Sequence, residues 1–254
     1  MISVIIPAWN AARFLEETIG SVRAQGDIPR EIVVVDDGST DDTAGVAASL
    51  GTDVRVLRQT NKGPAAARNA GVLATSGEFI ACLDADDLWP PGRIALLLSR
   101  LDADPAQLIA IGRTQLIAPL AEGLRSPHGT THPRGIAESY VESGTPWHAP
   151  AFGSALIRRD AFRVVGEIDP TLRLAEDLDW FIRARERAVP TVVVPDTVLH
   201  YRIHGANLTR GADAAQRNMM LALKRSLDRR RDGAKASVAL LGDSLPDARG
   251  RHAP

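Results

Sequence analysis

The sequence predicts an α/β fold in which a mostly parallel, Rossmann-like central sheet is flanked by helices. Short apolar runs alternate with helix-like segments through the first hundred residues. Such alternation indicates parallel strands joined by crossover helices. Acidic clusters follow two of the apolar runs, and ligands of parallel sheets bind beyond the carboxyl ends of the strands. These clusters therefore mark a candidate binding site.

Four strands and four helices are expected in the first half. The β-branched run Ile32–Val35 is typical of a strand that is covered on both faces. Pro64 favours a helix that begins there, and Ser39 with Asp42 resembles a capping box. In chain order we expect a strand at Ile2–Pro7, a helix at Ala11–Gln25, a strand at Glu31–Asp36, a helix at Thr43–Leu50, a strand at Val54–Leu57, a helix at Pro64–Thr75, a strand at Phe79–Leu83 and a helix at Gly92–Leu101.

The second half has a less regular pattern. Pro119–Pro150 is rich in proline, glycine, histidine and serine, which predicts a long loop. Ala214–Arg231 is basic and helical in propensity. Three roles are open for this helix: it docks on the domain, it touches an anionic surface, or it forms an ordinary solvated face. The other expected elements are a strand at Phe152–Arg158, helices at Asp160–Val165 and Asp177–Arg187, and strands at Thr191–Val194 and Val198–Ile203.

Composition limits the classes of partner. The 254 residues carry a formal net charge of −1, so no overall field attracts nucleic acid. Cys82 is the single cysteine, which excludes an internal disulfide and fits a reducing compartment. The chain shows no signal-peptide pattern and no apolar run near the roughly 18 residues that span a bilayer. We therefore expect a cytoplasmic protein, at most peripheral to the inner face of the membrane, that binds no nucleic acid.

The strongest chemical signal is the cluster Asp84-Ala85-Asp86-Asp87, which ends an apolar strand. Clustered carboxylates repel one another unless a cation lies among them. Hard oxygen ligands favour Mg²⁺ or Mn²⁺, and such ions combine few protein carboxylates with phosphates and water. The alternative is a solvated acidic turn in which Asp87 caps a helix.

Two other segments could meet a nucleotide. Asp36 and Asp37 follow the second strand, where a carboxylate can accept hydrogen bonds from a base or ribose; turn and cap chemistry is the alternative. Lys62 and Arg68 flank the start of an alanine-rich helix and could meet phosphate charge. The alternative for these two side chains is an ordinary packing helix with solvated charges.

The last candidates lie near residues 176 and 204. Glu176 and Asp177 open a helix, where acids are usually cap partners but can serve as a general base. A helix N-terminus normally lowers the pKa of a carboxylate, so we expect Asp177 to be ionised and weakly basic. His204 leaves a strand-like run and could bind metal or phosphate. The other histidines lack the spacing of a zinc site.

Taken in order, these segments resemble the family 2 glycosyltransferases of the GT-A fold. The resemblance covers roughly residues 2–210, and Trp9 stands where the family usually has tyrosine. The matching pieces are Val4–Asn10, Val34–Asp41, Asn61–Gly63, Ala67–Gly71, Gly77–Asp87, Gly166–Asp169, Glu176–Asp179 and Tyr201–His204. The implied organisation is a GT-A domain at 1–210, with a nucleotide-sugar-binding half at 1–103 and an acceptor-binding half at 104–210, followed by a helical, basic extension at 211–254.

The resemblance implies an inverting transfer of a sugar from a nucleoside-diphosphate sugar, most commonly a UDP-sugar, to an acceptor hydroxyl. The acceptor would be a carbohydrate, a lipid-linked glycan or another hydroxyl compound, in bacterial polysaccharide or glycoconjugate synthesis. Asp177 would be the base, and Asp86 with His204 would bind Mn²⁺ or Mg²⁺. The implied donor-binding residues are Pro7, Ala8, Asn10, Asp36, Asp37, Lys62, Arg68, Asp84 and Ala85. We expect the acceptor to be bordered by Trp147, His148 and Glu176.

Two other functions fit the sequence less well. A sugar nucleotidyltransferase shares a nucleotide-binding sheet and a metal, but it should have a glycine-rich, arginine-containing phosphate loop after the first strand. Pro7–Asn10 offers no such loop. A non-catalytic nucleotide-sugar-binding protein of the same fold should have lost its acids, whereas Asp84, Asp86 and Asp177 are all present.

Overall fold

The computed structural model describes residues 1–119, 140–148, 150–205 and 212–242. Within them, a mixed eight-stranded sheet with mostly parallel strands is flanked by helices, which confirms the predicted fold class. The strands are β1 (Ile2–Ala8), β2 (Arg30–Asp37), β3 (Val54–Gln59), β4 (Phe79–Cys82), β5 (Ile109–Pro119), β6 (Tyr140–His148), β7 (Ala155–Arg158) and β8 (Thr191–Arg202). The helices are α1 (Leu15–Arg23), α2 (Thr43–Ser49), α3 (Pro64–Ala74), α4 (Arg93–Ala103), α5 (Arg159–Val165), α6 (Glu176–Glu186) and α7 (Ala212–Gly242).

The strand order places the carboxyl ends of the first strands at one edge. The sheet runs β3-β2-β1-β4-β7-β5-β6, and β8 pairs with β5. Strands β1 to β4 are parallel to one another, whereas β7 is antiparallel to both β4 and β5. The segments that follow β1, β2 and β4 therefore emerge on the same side of the sheet.

Strand β1 is buried on both faces, because alternate side chains of a strand point to opposite sides. Val4 and Ile6 belong to the core on the side of α1 and α4, whereas Ile5 packs on the side of α3 and α6. The second core contains an aromatic cluster in which the ring of Phe152 lies 5.3 Å from that of Trp180. The Trp180 Nε1–H also donates to the Gly166 carbonyl at 2.9 Å. These contacts fix α6, and with it the acids at its start.

Two predictions in the second half are corrected. The predicted loop Pro119–Pro150 contains β6, which pairs antiparallel with β5; residues 120–139 and 149 lie outside the described part of the chain. Gly144 and Pro146 within β6 hid the strand pattern. The two strands expected between residues 191 and 203 are one strand, β8, since Pro195 only accompanies a shift of register against β5.

One capping prediction and two element starts are also corrected. Ser39 does not cap α2; its Oγ accepts a hydrogen bond from the Asn10 backbone N–H at 2.9 Å, and α2 begins at Thr43. Helix α1 begins at Leu15 rather than at Ala11. The expected strand Phe152–Arg158 opens with a short 3-10 helix before β7 begins. In each case the chain makes a tight turn before the regular element starts.

Helix α7 packs against α6. Ala222 and Ser226 are buried on its inner face, and the guanidinium of Arg225 pairs with Asp169. The Arg229 Nε lies 2.7 Å from a Glu186 carboxylate oxygen. Docking on the domain, one of the alternatives that the sequence left open, is therefore observed. Among the described residues, no helix is long and apolar enough to cross a membrane.

The close packing of α3 on β1 yields a stability prediction. A Cβ at Gly71 would overlap the side chain of Ile5, so we expect Gly71→Ala to lower the free energy of unfolding by about 1–3 kcal/mol. Gly20 is the matched control, because within the described chain nothing lies within 4 Å of a Cβ built there. Gly20→Ala in α1 should raise stability by about 0.5–1 kcal/mol. Urea unfolding of both variants checks the prediction, and equal effects would contradict it.

Candidate active site

The acidic cluster that follows β4 meets α3, α6 and the end of β8. Asp84 contacts Arg68 of α3, and the same arginine contacts Glu176 of α6. Asp86 contacts His204, which follows β8. The structure thus brings together residues that the sequence placed in four separate segments.

Arg68 is the centre of this arrangement. Its side chain is only 6% exposed; Nη2 lies 2.5 Å from Asp84 Oδ1 and Nη1 lies 2.6 Å from Glu176 Oε1. Burial alone would lower the pKa of Arg68, but the two carboxylates outweigh it and raise that pKa. The sequence predicted a contact between Arg68 and the nucleotide. In the structure both ends of its guanidinium are paired with carboxylates, the buried Glu176 and the partly exposed Asp84.

Asp177 differs from its neighbour Glu176. Glu176 is buried against Arg68, and its predicted place beside an acceptor stays a prediction. Asp177 forms no ion pair within the described residues, and its Oδ1 accepts a hydrogen bond from the Leu178 N–H at 2.7 Å. Burial, reinforced by the charge of Glu176, raises the pKa of Asp177 to about 7. The expected lowering of this pKa is therefore wrong, because burial outweighs the helix N-terminus.

Asp86 and His204 form the candidate metal pair. His204 Nε2 lies 2.8 Å from Asp86 Oδ2, and burial together with the charge of Asp84 raises the pKa of Asp86. A carboxylate that is destabilised in this way, next to an imidazole nitrogen, suits a divalent cation. No cluster of three or more metal-ligating side chains occurs among the residues described. The two side chains fit an ion whose remaining ligands come from phosphate and water.

Asp87 has a structural role. It is buried, and its Oδ1 accepts a hydrogen bond from the Arg202 backbone N–H at 3.0 Å. Burial and the neighbouring Asp86 raise the pKa of Asp87 well above its ordinary value. Asp87 therefore links the acidic segment to β8. The alternative interpretation, in which Asp87 caps a helix, is wrong.

Asp36 and Asp37 organise the predicted nucleotide side of the site. Asp36 is fully buried and accepts a hydrogen bond from the Ser39 N–H at 3.0 Å. The two carboxylate oxygens of Asp37 accept hydrogen bonds from the backbone N–H groups of Lys62 and Gly63, each at 2.8 Å. Gly63 has a φ of 90°, which favours glycine at this turn into α3. Asp37 thereby holds the backbone of Lys62 at the edge of the sheet.

The remaining donor-side residues contribute mainly through the backbone. Pro7 and Ala8 end β1 with buried side chains. Ala85 is buried as well, and its carbonyl accepts a hydrogen bond from Thr18 Oγ1 at 2.8 Å. Its side chain lies in the core, so the predicted donor contact of Ala85 could involve only its backbone. Asn10 is exposed, and its Oδ1 accepts a hydrogen bond from the Thr40 N–H at 2.8 Å, which fixes the loop after β2.

The expected acceptor residues lie on the edge strand β6. Trp147 and His148 are exposed there, and His148 Nε2 lies 2.9 Å from the Val194 carbonyl oxygen. This hydrogen bond does not involve the acidic cluster. An open, largely apolar cavity of about 470 Å³ is lined by His148 and by Phe181, which follows Asp177 by one turn of α6.

Phe14 is a site residue that the sequence did not reveal. It precedes α1, and its ring centroid lies 4.6 Å from that of His204. The guanidinium carbon of Arg202 lies 5.0 Å from the same ring. The ring therefore supports the imidazole, and nothing in the sequence pattern distinguishes it from a core phenylalanine.

Comparison with known proteins places this fold and its acidic cluster in a class of transferases. Residues 3–166 match the model of glycosyl transferase family 2. The chain belongs to this family, and the predicted family is thus confirmed.

Similar proteins come from several bacteria. The chain is 31% identical over 223 residues to an uncharacterised glycosyltransferase of Nostoc, which covers 84% of this chain and 68% of that protein. It is 36% identical over 203 residues to the succinoglycan biosynthesis protein ExoU of Rhizobium meliloti, which covers 72% of this chain and 56% of ExoU. The chain therefore spans between about half and two thirds of the length of these relatives.

Solved structures share the fold. Staphylococcus aureus TarS 1-349 in complex with UDP superposes with a TM-score of 0.60 and 21% identity, covering 80% of this chain and 60% of that one. The mannosyltransferase PcManGT from Pyrobaculum calidifontis, in complex with GDP-Man and Mn²⁺, gives a TM-score of 0.61 and 21% identity. The match covers 91% of this chain and 64% of PcManGT. These similarities confirm the predicted GT-A fold.

The buried pairing of Arg68 yields a second prediction. Arg68→Met leaves Glu176 buried without a cation, so we expect the free energy of unfolding at pH 7 to fall by about 3–5 kcal/mol. Arg163→Met is the matched control, because it breaks the exposed pair with Asp160 and should cost less than about 1 kcal/mol. Urea unfolding measures both. An equally mild effect at Arg68 would show that the buried pairs do not stabilise the site.

Proposed function

We propose that this chain transfers a sugar from a nucleoside-diphosphate sugar to an acceptor hydroxyl with inversion of configuration, using Asp177 as the general base. The observation that carries this proposal is the carboxylate of Asp177, whose pKa is raised to about 7. It adjoins Glu176, which Arg68 links to Asp84. A base of this pKa is well matched to proton transfer at neutral pH.

The reaction is a single displacement. The acceptor oxygen forms a bond to the anomeric carbon while the bond from that carbon to the diphosphate oxygen breaks. The hydroxyl proton passes to the carboxylate of Asp177, and the nucleoside diphosphate leaves with the electron pair of the broken bond. Attack on the face opposite the leaving group inverts the anomeric configuration, which NMR of the product checks directly.

Asp86 and His204 would hold a divalent cation, Mn²⁺ or Mg²⁺. When bound, the ion supplies positive charge to the departing diphosphate, a Lewis-acid contribution of several kcal/mol. The imidazole must be neutral to act as a ligand, so metal binding is expected to weaken as the pH falls. The ring of Phe14 keeps the imidazole in place beside Asp86.

The donor would bind along residues 1–103, with its nucleotide near Asp36, Asp37 and Lys62. Asn10 would shape the adjoining loop, and the backbone of Pro7 and Ala8, at the end of β1, would border the nucleotide. UDP is the first candidate nucleotide, because TarS is similar in fold and was solved with UDP; GDP is the second, since PcManGT was solved with GDP-Man.

The acceptor would bind along residues 104–210, near Trp147 and His148. A carbohydrate or a lipid-linked glycan is the proposed acceptor class. The similarity to ExoU, a succinoglycan biosynthesis protein, supports a role in bacterial polysaccharide or glycoconjugate synthesis. The ion pair of Arg68 with Glu176 joins this half to the donor half, and residues 211–254 form the proposed helical extension.

The role of Asp177 yields the third prediction. Asp177→Asn preserves the size of the side chain but removes the base, so we expect kcat to fall by about 10²–10⁴-fold. Donor affinity, measured by calorimetry, should persist. Asp160→Asn is the matched control, because Asp160 also lies in the first turn of a helix but is exposed. Wild-type kcat in Asp177→Asn would place the base elsewhere.

The pH dependence distinguishes a base from a merely structural acid. Asp177 ionises near pH 4 in the unfolded chain, roughly its ordinary pKa, and near 7 in the fold. The stability from this raised pKa is fully present below pH 4 and is lost as the pH rises through about 7. Asp177→Asn lacks this loss. The free energy of unfolding of Asp177→Asn minus that of wild type should therefore be larger at pH 8 than at pH 5. Wild-type kcat should rise over the same interval, and a flat profile of both quantities would contradict the assignment.

The fourth prediction concerns the metal. Asp86→Asn should abolish the extra thermal stabilisation that Mn²⁺ adds to UDP binding, because it removes the charged oxygen ligand. The same substitution should lower turnover, while the melting temperature of the ligand-free protein should stay at the wild-type value. Asp102→Asn, an exposed acid in α4, is the control. Full turnover of Asp86→Asn, or of wild type in excess chelator, would disprove the metal role.

A further inference from the structure

Helix α7 has one face that the domain covers and another that it leaves exposed. The covered face includes the buried Ala222 and Ser226 and the paired Arg225 and Arg229. The opposite face carries large apolar side chains with substantial exposure. They are Met219 (44%), Met220 (59%), Leu223 (42%) and Leu227 (59%).

These four side chains form one stripe. Residues 219, 223 and 227 follow one another at intervals of four, and residue 220 lies three positions before 223 and seven before 227. Residues at these intervals are neighbours on a helix surface. A contiguous apolar stripe on an otherwise polar surface indicates an interaction site.

A line of cations runs beside the stripe. Arg217, Lys224 and Arg231 are all exposed and recur every seven residues, which keeps them on one side of the helix, where the exposed Asp228 also lies. Within the described part of the chain, none of the three forms an ion pair. Residues 217–231 span about 21 Å at 1.5 Å per residue. The charged line and the apolar stripe therefore extend together over four turns.

We propose that this face of α7 is a binding surface for an anionic membrane. The helix would lie in the plane of the interface, with the apolar stripe among the acyl chains and the cations at lipid phosphates. Charge favours lipid over a second copy of this chain, because pairing two such faces would bring their cationic lines together. The surface lies apart from the proposed catalytic residues, so the inference does not depend on the proposed sugar transfer.

Sedimentation with lipid vesicles tests the proposal. Wild type should pellet with vesicles that contain phosphatidylcholine and about one third phosphatidylglycerol, and remain in solution with phosphatidylcholine alone. Leu223→Ser combined with Leu227→Ser should reduce partition by about tenfold or more, since it removes apolar area from the interface. Leu73→Ser combined with Val164→Ser is the matched control, because these exposed apolar residues lie off α7. Melting temperatures confirm that both variants fold.

A charge variant gives an independent readout. Arg217→Glu combined with Lys224→Glu should lower partition by at least the roughly fivefold expected for each lost cation. Arg100→Glu combined with Arg187→Glu removes the same charge elsewhere and should retain binding. Donor hydrolysis in solution should be unchanged in all four variants. This assay reports on the catalytic proposal alone, so its failure can be told apart from a failure of membrane binding. Absence of wild-type binding, equal loss in the controls, or a dimer that disappears in Leu223→Ser with Leu227→Ser would overturn the membrane proposal.

Discussion

The site depends on a single buried guanidinium. Arg68 pairs with Asp84, which follows β4, and with Glu176, which begins α6. Each carboxylate alone would be costly to bury, and the cation alone more so. Their mutual neutralisation allows the end of the sheet and the start of a distant helix to meet. The side chains of Arg68 and Glu176 are less than a tenth exposed, so this part of the geometry is set where solvent screens it least.

The same guanidinium limits the pKa of Asp177. Burial and Glu176 push that pKa upward, and the nearby positive charge of Arg68 opposes them, so the outcome is about 7. That charge favours the ionised carboxylate, which is the form that can accept a proton. The aromatic cluster around Trp180 holds α6 against this electrostatic cost. Packing in the core thus stabilises a site that would not be stable by its own interactions.

The sequence predicts the elements that local pattern controls and misses those that depend on distant contacts. The β-branched run Ile32–Val35 correctly indicated a buried strand, and acids at strand ends correctly indicated the edge where the site lies. The pairing of Arg68 with Glu176 joins residues 108 positions apart, so no local pattern could reveal it. Strand β6 was missed because its pairing with β5 overrides the turn preference of Gly144. The sign of the pKa shift at Asp177 was missed because burial is a property of the fold.

A partial coordination shell explains why metal and donor would bind together. Asp86 and His204 offer one carboxylate and one imidazole, too few ligands to hold a hard cation tightly without phosphate oxygens. On the proposed mechanism, the diphosphate would in turn need the cation, because the carboxylates of Asp84 and Asp86 would repel it. Each ligand would then raise the affinity of the other by the same factor. Burial and the charge of Asp84 raise the pKa of Asp86, and a bound cation would offset both. The acidic cluster would become favourable only in the assembled complex, which would direct binding energy to the site where the bond to the leaving group breaks.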